Sequence, residues 1–273
     1  MKKTLTLIAI LSIALAGCRH FFHRNADVGG GSSVTKSLRQ SFDPALMKMP
    51  KEKVFQLGED QFAKKKYAKA RQYYSHVYET YPNDPLGRRA LLRVADTYYE
   101  QGDAVNLVEA QYKYRDFINR YPGSDRADYA MLQIAMCSYK QMERPDRDQQ
   151  KTRETLEKFN DAVKTFPKSA LRPEMDKRVQ DVLDRLAKHD HIIARYYIKR
   201  HSFNAAIQRL NGIVEIYPNY SERDGVFFDL GTALAGMGRT AEARLYFERV
   251  MAEFPHSAYA GKAKQKLGTM KTA

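Results

Sequence analysis

Five aromatic–proline pairs recur along the chain and constrain its fold more than any other feature. They are Tyr81-Pro82, Tyr121-Pro122, Phe166-Pro167, Tyr217-Pro218 and Phe254-Pro255. Each pair closes a segment of charged and apolar residues with helical spacing, at intervals of 40, 45, 51 and 37 residues. Proline cannot donate into a helix, and it biases the preceding residue away from the helical region. Each pair therefore predicts the end of a helix in an internal repeat.

The last unit, FFDLGTALAGMGRTAEARLYFERVMAEFP, shows the repeat most clearly. Its small residues stand where two helices are expected to touch closely: Gly231, Ala235, Gly238, Ala241 and Ala243. A helix–turn–helix unit that ends at proline is the tetratricopeptide pattern. No segment alternates for long with the period of two that a strand requires. The sequence predicts an all-α solenoid of about five tetratricopeptide-like helix pairs, with a C-terminal capping helix from Ala258 to Met270.

The two longest intervals contain additions to the plain repeat. A polar stretch at 143–154 is expected to be an insertion between the two helices of the third unit. No glycine occurs from 169 to 203, and apolar residues follow a 3/4 spacing there. This segment predicts a single helix of about 30 residues, which would be about 45 Å long.

The first residues predict export and anchoring. Lys2 and Lys3 precede an apolar run that is too short to span a bilayer, and the run ends in Leu-Ala-Gly-Cys. This ending resembles the bacterial lipoprotein signal, which implies cleavage after residue 17 and acylation (palmitate) of Cys18. An ordinary signal peptide with a chance cysteine is the alternative. Arg19 stands where aspartate tends to retain lipoproteins at the inner membrane, so we expect the periplasmic face of the outer membrane.

The sequence divides into three regions. Residues 1–17 are the expected signal peptide, and residues 18–50, with a Gly/Ser patch at 29–33, are a flexible tether. Residues 51–273 form the repeat domain, with N-terminal repeats at 51–142 and C-terminal repeats at 143–273. Cys137 is the second of two cysteines, so the fold depends on packing rather than disulfides.

Several motifs resemble the BamD (ComL) family of outer-membrane assembly lipoproteins. They are Asp-Arg-Asp at 146–148, DRLAKHDHIIARYYIKR at 184–200 followed by Phe203 and AAIQRL, and ADYAMLQIA at 127–135. The resemblance implies a non-enzymatic scaffold of the β-barrel assembly machinery that helps fold and insert outer-membrane proteins. The implied partners are the periplasmic domains of a BamA-like insertase, other assembly lipoproteins and unfolded outer-membrane protein peptides. The N-terminal repeats would receive the peptide and the C-terminal repeats would hold the insertase.

Two groups of residues suit these roles. Tyrosine and arginine are concentrated in the N-terminal half, where tyrosine offers amphipathic contact area and arginine pairs with a terminal carboxylate. The residues proposed for the peptide groove are Arg71, Tyr73, Tyr74, Arg93, Tyr98 and Tyr99, within a cluster that also holds Tyr78, Tyr112 and Tyr114. The alternative is that most of these tyrosines are repeat core. For partner docking we select Arg209, with Tyr196 and Arg195 second to it, and a solvated arginine is the alternative.

Other functions receive less support from the sequence. The chain has no His-Glu-x-x-His, Gly-x-Ser-x-Gly or phosphate-loop motif, and we expect no enzymatic activity and no cofactor. His20 and His23 alone do not make a metal site. A net charge of +14, near +12 after loss of Lys2 and Lys3, permits nucleic acid, but the expected location argues against it. The alternative function is envelope maintenance of the Tol-Pal or peptidoglycan-coordinating type, whose members usually carry a coiled coil.

Overall fold

The structure, a computed structural model, describes residues 44–270. The predictions for Cys18, the signal peptide and most of the tether lie outside these residues. A helical turn spans Pro44–Met47, and the residues from Met49 onward form one compact unit. Eleven helices follow in the described part of that unit: α1 Lys51–Ala63, α2 Tyr67–Thr80, α3 Pro85–Gln101, α4 Ala104–Arg120, α5 Ala127–Tyr139, α6 Gln150–Thr165, α7 Arg172–Lys199, α8 Phe203–Ile216, α9 Arg223–Gly236, α10 Thr240–Glu253 and α11 Ala258–Met270.

The five aromatic–proline pairs form five equivalent turns. The aromatic residue adopts φ between −134° and −121° and ψ between 56° and 65° at every pair, outside the helical region. Its carbonyl oxygen accepts a hydrogen bond from the backbone N–H three residues later, at 3.0–3.2 Å. The steric effect of proline on the preceding residue explains why α2, α4, α6, α8 and α10 all end at this point.

The turns within the pairs also share one geometry. In four units a single residue adopts positive φ: Lys65 and His201 at 57°, and Gly102 and Gly238 at 75°. The third unit replaces this turn with the loop 140–149. There the Gln149 side-chain amide donates to the carbonyls of Arg144, Arg147 and Asp148. Helix α6 then begins at Gln150. The last five residues of the predicted insertion at 143–154 therefore belong to this helix.

Consecutive helices pack against each other along the chain, and the first helices of successive pairs also contact one another. Tyr129 of α5, for example, donates to Asp96 of α3, and the Tyr139 ring of α5 lies beneath Arg178 of α7. Gly231 provides a close approach, because an added Cβ would lie 2.7 Å from the Phe247 ring. Gly238 and Ala241 are exposed, so the prediction that they mediate close helix contact is wrong. Gly238 instead supplies the left-handed turn.

The long helix and the cap are confirmed. Helix α7 has 28 residues, about 42 Å at 1.5 Å per residue, and α11 covers the last pair through buried Ala263. Cys137 is buried in the core, and burial raises the pKa of its thiol to about 12. Among the helices described, none is long and apolar enough to cross a bilayer.

Candidate peptide groove and docking surface

A cavity of about 920 Å³ lies in the N-terminal repeats. Its walls come from α1, from the first three turns of α3, from α4, and from the turn that leads into α5 together with the start of α5. The lining residues are Glu59, Pro85, Arg88, Arg89, Leu92, Arg93, Asp96, Phe117, Gly123, Ser124, Asp125, Arg126 and Tyr129. This volume is within the usual range for a ligand site.

Two apolar side chains and a hydrogen-bonded carboxylate form part of the cavity wall. Leu92 and Phe117 are almost fully buried and present carbon surface. Beside them, the hydroxyls of Tyr114 and Tyr129 both donate to Asp96 Oδ1, at 2.6 and 2.8 Å. Burial, followed by the charge of Asp96, raises the pKa of both phenols, so they stay protonated and keep donating. The Asp96 carboxylate is therefore satisfied and fixes α3, α4 and α5 together.

The Arg93 guanidinium is engaged in ion pairs within the protein. Its Nε and Nη2 donate to the two oxygens of Glu59 at 2.8 Å each, and its Nη1 donates to Asp96 at 3.1 Å. Burial disfavours the charged form, but the hydrogen bond and charge of Glu59 outweigh it, and the pKa of the guanidinium is raised. The group therefore joins α1 to α3 as part of the cavity wall.

Three other arginines at the cavity lack such partners. Arg88, Arg89 and Arg126 form no salt bridge with any carboxylate in the described part of the chain. Each guanidinium instead lies over an aromatic ring: Tyr121 at 5.8 Å, Phe55 at 4.9 Å and Tyr129 at 5.0 Å, respectively. Glu59 and Asp96 are taken by Arg93, and these three arginines outnumber Asp125, the other carboxylate in the lining. The remaining charge of the lining therefore favours an anion.

The structure places the six groove residues predicted from the sequence in several locations. Arg93 is the member of that group that lines the cavity. Tyr74 is fully buried and donates to Glu59 at 2.9 Å, so it helps to hold a residue of the cavity wall without lining the cavity itself. Arg71 stacks on Tyr98 at 3.6 Å and donates to Gln101. The remaining two are half-buried: Tyr73 on α2, and Tyr99 beneath Lys140.

The sequence analysis did not select Arg88, Arg89 and Arg126, although a signal for them was present. Arg88 and Arg89 follow closely on the start of α3, and Arg126 is the N-cap of α5. The positive end of the helix dipole disfavours cations at such positions. Arginines placed there against this preference are candidates for binding an anion.

The three docking residues have different surroundings. Arg209 is exposed on α8, and its Nη1 donates to Asp190 of α7 at 2.6 Å. Tyr196 is 58 % exposed on α7 and contacts the neighbouring Tyr197 ring. The side chain of Arg195 is as exposed as that of Arg209, and its Nε donates to Asp229 of α9 at 2.7 Å.

Arg195 belongs to a partly buried polar network. The same Asp229 oxygen lies 2.8 Å from Nε2 of the buried His191, and a second guanidinium nitrogen of Arg195 donates to the hydroxyl of Tyr259 on α11. Burial disfavours the charge of Arg195, but Asp229 outweighs it and raises the guanidinium pKa. Arg195 therefore fixes the cap to the long helix. Among residues 44–270, no group of three or more His, Cys, Asp or Glu side chains is arranged to hold a metal ion.

Comparison with known proteins places this architecture in a family. The model of the family YfiO, described as outer membrane lipoprotein, matches residues 47–245. A protein of Caulobacter vibrioides is 27% identical over 78% of this chain and 70% of its own length. Proteins of Neisseria meningitidis serogroup A and Rickettsia prowazekii are 25% and 23% identical, each over 95% of this chain and 94% of their own lengths.

All three relatives are named outer membrane protein assembly factor BamD. The resemblance drawn from the motifs at 127–135, 146–148 and 184–200 is thereby confirmed. The family match includes the arginine-rimmed cavity, the whole of the long helix and Arg209 on α8. The chain belongs to the YfiO family of outer membrane lipoproteins, whose curated members include the BamD assembly factors.

Proposed function

We propose that this protein is a non-enzymatic lipoprotein of the outer-membrane β-barrel assembly machinery. Its N-terminal repeats receive unfolded outer-membrane protein peptides, and its C-terminal repeats dock on the periplasmic domains of a BamA-like insertase. Family membership and the names of the relatives support the general role. They favour this role over envelope maintenance of the Tol-Pal type.

The observation that carries the peptide-binding proposal is the cavity with its three unpaired arginines. A peptide that ends in an aromatic residue offers a carboxylate and a ring. The carboxylate pairs with the guanidinium groups of Arg88 and Arg126, and the ring packs on Leu92 and Phe117. The groove residues are therefore those of the cavity, with Tyr74 as a supporting residue rather than a contact.

The docking half of the proposal rests on Arg209 and Tyr196. Both side chains reach solvent, and arginine and tyrosine are the residue types that contribute most at interfaces. Arg195 has a positioning role, because its guanidinium joins α7 to Asp229 of α9 and to Tyr259 of α11.

Arg209→Glu is expected to reduce recovery of the insertase at least tenfold. The test is co-purification through a C-terminal tag, with Cys18 retained, from membranes extracted in mild detergent and identified by mass spectrometry. Arg249→Glu is a matched control, since Arg249 on α10 has similar exposure and also pairs with a carboxylate, Glu253. The wild type and Arg249→Glu should both recover a large β-barrel protein with periplasmic domains.

A second variant separates loss of docking from loss of the internal ion pair. Asp190→Arg combined with Arg209→Glu restores that pair with its charges exchanged. If this double variant recovers the insertase normally, Arg209 does not contact the partner. Recovery of peptidoglycan synthases or Tol-Pal components by the wild type would contradict the assembly role itself.

Cys18→Ser is expected to release the mature protein into the soluble periplasm. The reason is that acyl chains contribute roughly 0.8 kcal/mol per buried CH₂, and the variant has none. Fractionation of the periplasm and the outer membrane measures this, with the wild type beside it. A variant that stays with the outer membrane to the same extent would show that the acyl group is not the anchor.

A further inference from the structure

Helix α4 exposes a stripe of apolar side chains. Val105, Val108 and Tyr112 stand at i, i+3 and i+7, so they lie on one side of the helix. These residues are 73 %, 57 % and 59 % exposed. The core residues of α4, which include Leu107 and Ala110, lie on the opposite side. An apolar strip about 10 Å long at 1.5 Å per residue is therefore open to solvent.

The repeat itself does not require apolar residues at these positions. The positions 9 and 13 residues before the aromatic residue of each aromatic–proline pair are exposed in all five second helices. In α4 they hold Tyr112 and Val108. In α6 and α8 they hold polar residues instead: Arg153, Glu157, Asn204 and Gln208. Helix α10 exposes Leu245 at one of them but has alanine at the other. The full stripe is thus an addition to the repeat, made in the second unit.

A cluster of free lysines lies in the preceding unit. The turn between α1 and α2 and the first turn of α2 hold four exposed lysines that form no salt bridge within residues 44–270: Lys64, Lys65, Lys66 and Lys69. Lys65 adopts a φ of 57°, whereas the turns before α4 and α10 place Gly102 and Gly238 at positive φ. A cation is therefore present where the backbone favours glycine over any side chain.

Helices α2 and α4 lie side by side. The Arg120 guanidinium of α4 lies 6.0 Å from the centre of the Tyr78 ring of α2. Further towards the helix starts, Glu109 of α4 lies near Arg71 of α2 and offsets part of its charge. Because the two helices have the same register in the repeat, the start of α2 lies beside the start of α4.

Cations outnumber carboxylates on this shared outer face. Lys65 and Lys69 occupy the register positions in the first unit that Val105 and Glu109 occupy in the second. Glu109 is exposed, and Asp103 is the N-cap of α4, where it accepts from the Asn106 N–H. Four lysines against these two carboxylates leave a positive face, with the apolar stripe next to the cations.

We infer that this basic–apolar face, made of the four lysines with Val105, Val108 and Tyr112, contacts an anionic phospholipid surface. Lysines pair with anionic headgroups, and apolar side chains next to them enter the boundary between headgroups and acyl chains. A bilayer is within reach, because the family is one of outer membrane lipoproteins and a flexible chain as long as the 33-residue predicted tether spans about 30 Å. The inference depends neither on the peptide cavity nor on docking of the insertase.

The test is co-sedimentation with sucrose-loaded vesicles. The parent protein is the mature chain with Cys18→Ser, which has no acyl group to insert. Vesicles of phosphatidylcholine alone are compared with vesicles that contain about one third phosphatidylglycerol, which the parent should bind at least tenfold more tightly. A basic residue near an anionic surface contributes about fivefold in affinity. Replacing Lys64, Lys65 and Lys66 together by glutamine should therefore weaken binding to the anionic vesicles at least tenfold.

The apolar stripe is tested separately. Tyr112→Ser should weaken binding to the anionic vesicles about three- to tenfold, because the ring no longer enters the interface. Its matched control is Leu245→Ser, since Leu245 is 60 % exposed at the equivalent position of α10. The control for the lysines is the change of Lys262, Lys264 and Lys266 to glutamine, which removes the same charge from exposed positions of α11. Both controls should bind like the parent.

Three results would overturn the inference. The first is a parent protein that binds neither kind of vesicle, which would point instead to an acidic protein as the partner of this face. The second is a lysine variant that binds no more weakly than its α11 control, which would mean that net charge alone drives binding. The third is Tyr112→Ser binding as tightly as Leu245→Ser. Circular dichroism checks that each variant is folded, as expected for changes at exposed positions.

Discussion

Replacing Arg88 and Arg126 together by glutamate is expected to weaken binding of a carboxylate-terminated peptide at least a hundredfold. A hydrogen bond to a charged group contributes about 1.5–3 kcal/mol, so losing two of them already corresponds to a hundredfold or more. The introduced carboxylates add repulsion at the same rim. Anisotropy or calorimetry with a peptide ending in phenylalanine measures the effect, and the amidated peptide should lose affinity for the wild type in the same direction.

A matched double variant controls for net charge. Arg115 and Arg153 are exposed on α4 and α6, they form no salt bridge in the described part of the chain, and neither lines the cavity. Arg115→Glu with Arg153→Glu should bind the peptide with an affinity within a few-fold of the wild type. Equal losses in the two double variants would mean that general electrostatic attraction, rather than the cavity, holds the peptide.

Gly87→Ala is expected to destabilise the N-terminal repeats by about 3 kcal/mol, the upper end of the usual cost of overpacking. A Cβ at this position would lie 1.8 Å from the carbonyl oxygen of Tyr81. That oxygen belongs to the first aromatic–proline turn and accepts the N–H of Asp84, so it cannot move aside without breaking the turn. Thermal unfolding followed by circular dichroism should show a Tm lower by roughly 6–12 °C for a transition of this size.

Gly212→Ala makes the same chemical change but is not expected to destabilise the protein. Gly212 lies inside α8, and apart from its chain neighbours and the adjacent backbone of α8 no atom lies within 4 Å of the added Cβ. Alanine is favoured over glycine in a helix interior by up to about 1 kcal/mol, so this variant should melt at or above the wild-type temperature. A Gly87→Ala protein that melts like Gly212→Ala would show that α3 does not need this close approach.

The sequence predicted the fold well because its signals are local. Proline acts on the residue directly before it, so the ends of the second helices follow from Tyr81 and its four equivalents without knowledge of packing. The absence of glycine between 169 and 203 likewise predicts α7. Gly238 was misinterpreted because a small residue serves both close packing and positive φ, and sequence alone does not separate these uses.

The site was less predictable because it depends on which face each side chain occupies. Tyr74 and Arg93 are both suitable for binding a peptide, but the fold buries the first and pairs the second with Glu59. Arg88 and Arg126 come from different repeats, and only the stacking of the units brings them to one cavity. Arg195 was selected for its residue type, whereas its partner Asp229 lies 34 residues further along the chain.

The repeat architecture also determines how the molecule deforms. Each pair is held mainly by its immediate neighbours, so its stability is nearly a sum of local contributions along one axis. The walls of the cavity belong to successive units, from α1 to the turn before α5. A small change in the angle between units therefore alters the width of the cavity while each unit stays folded. If the cavity binds a peptide as proposed, the angle between the units would set how closely its walls fit that peptide.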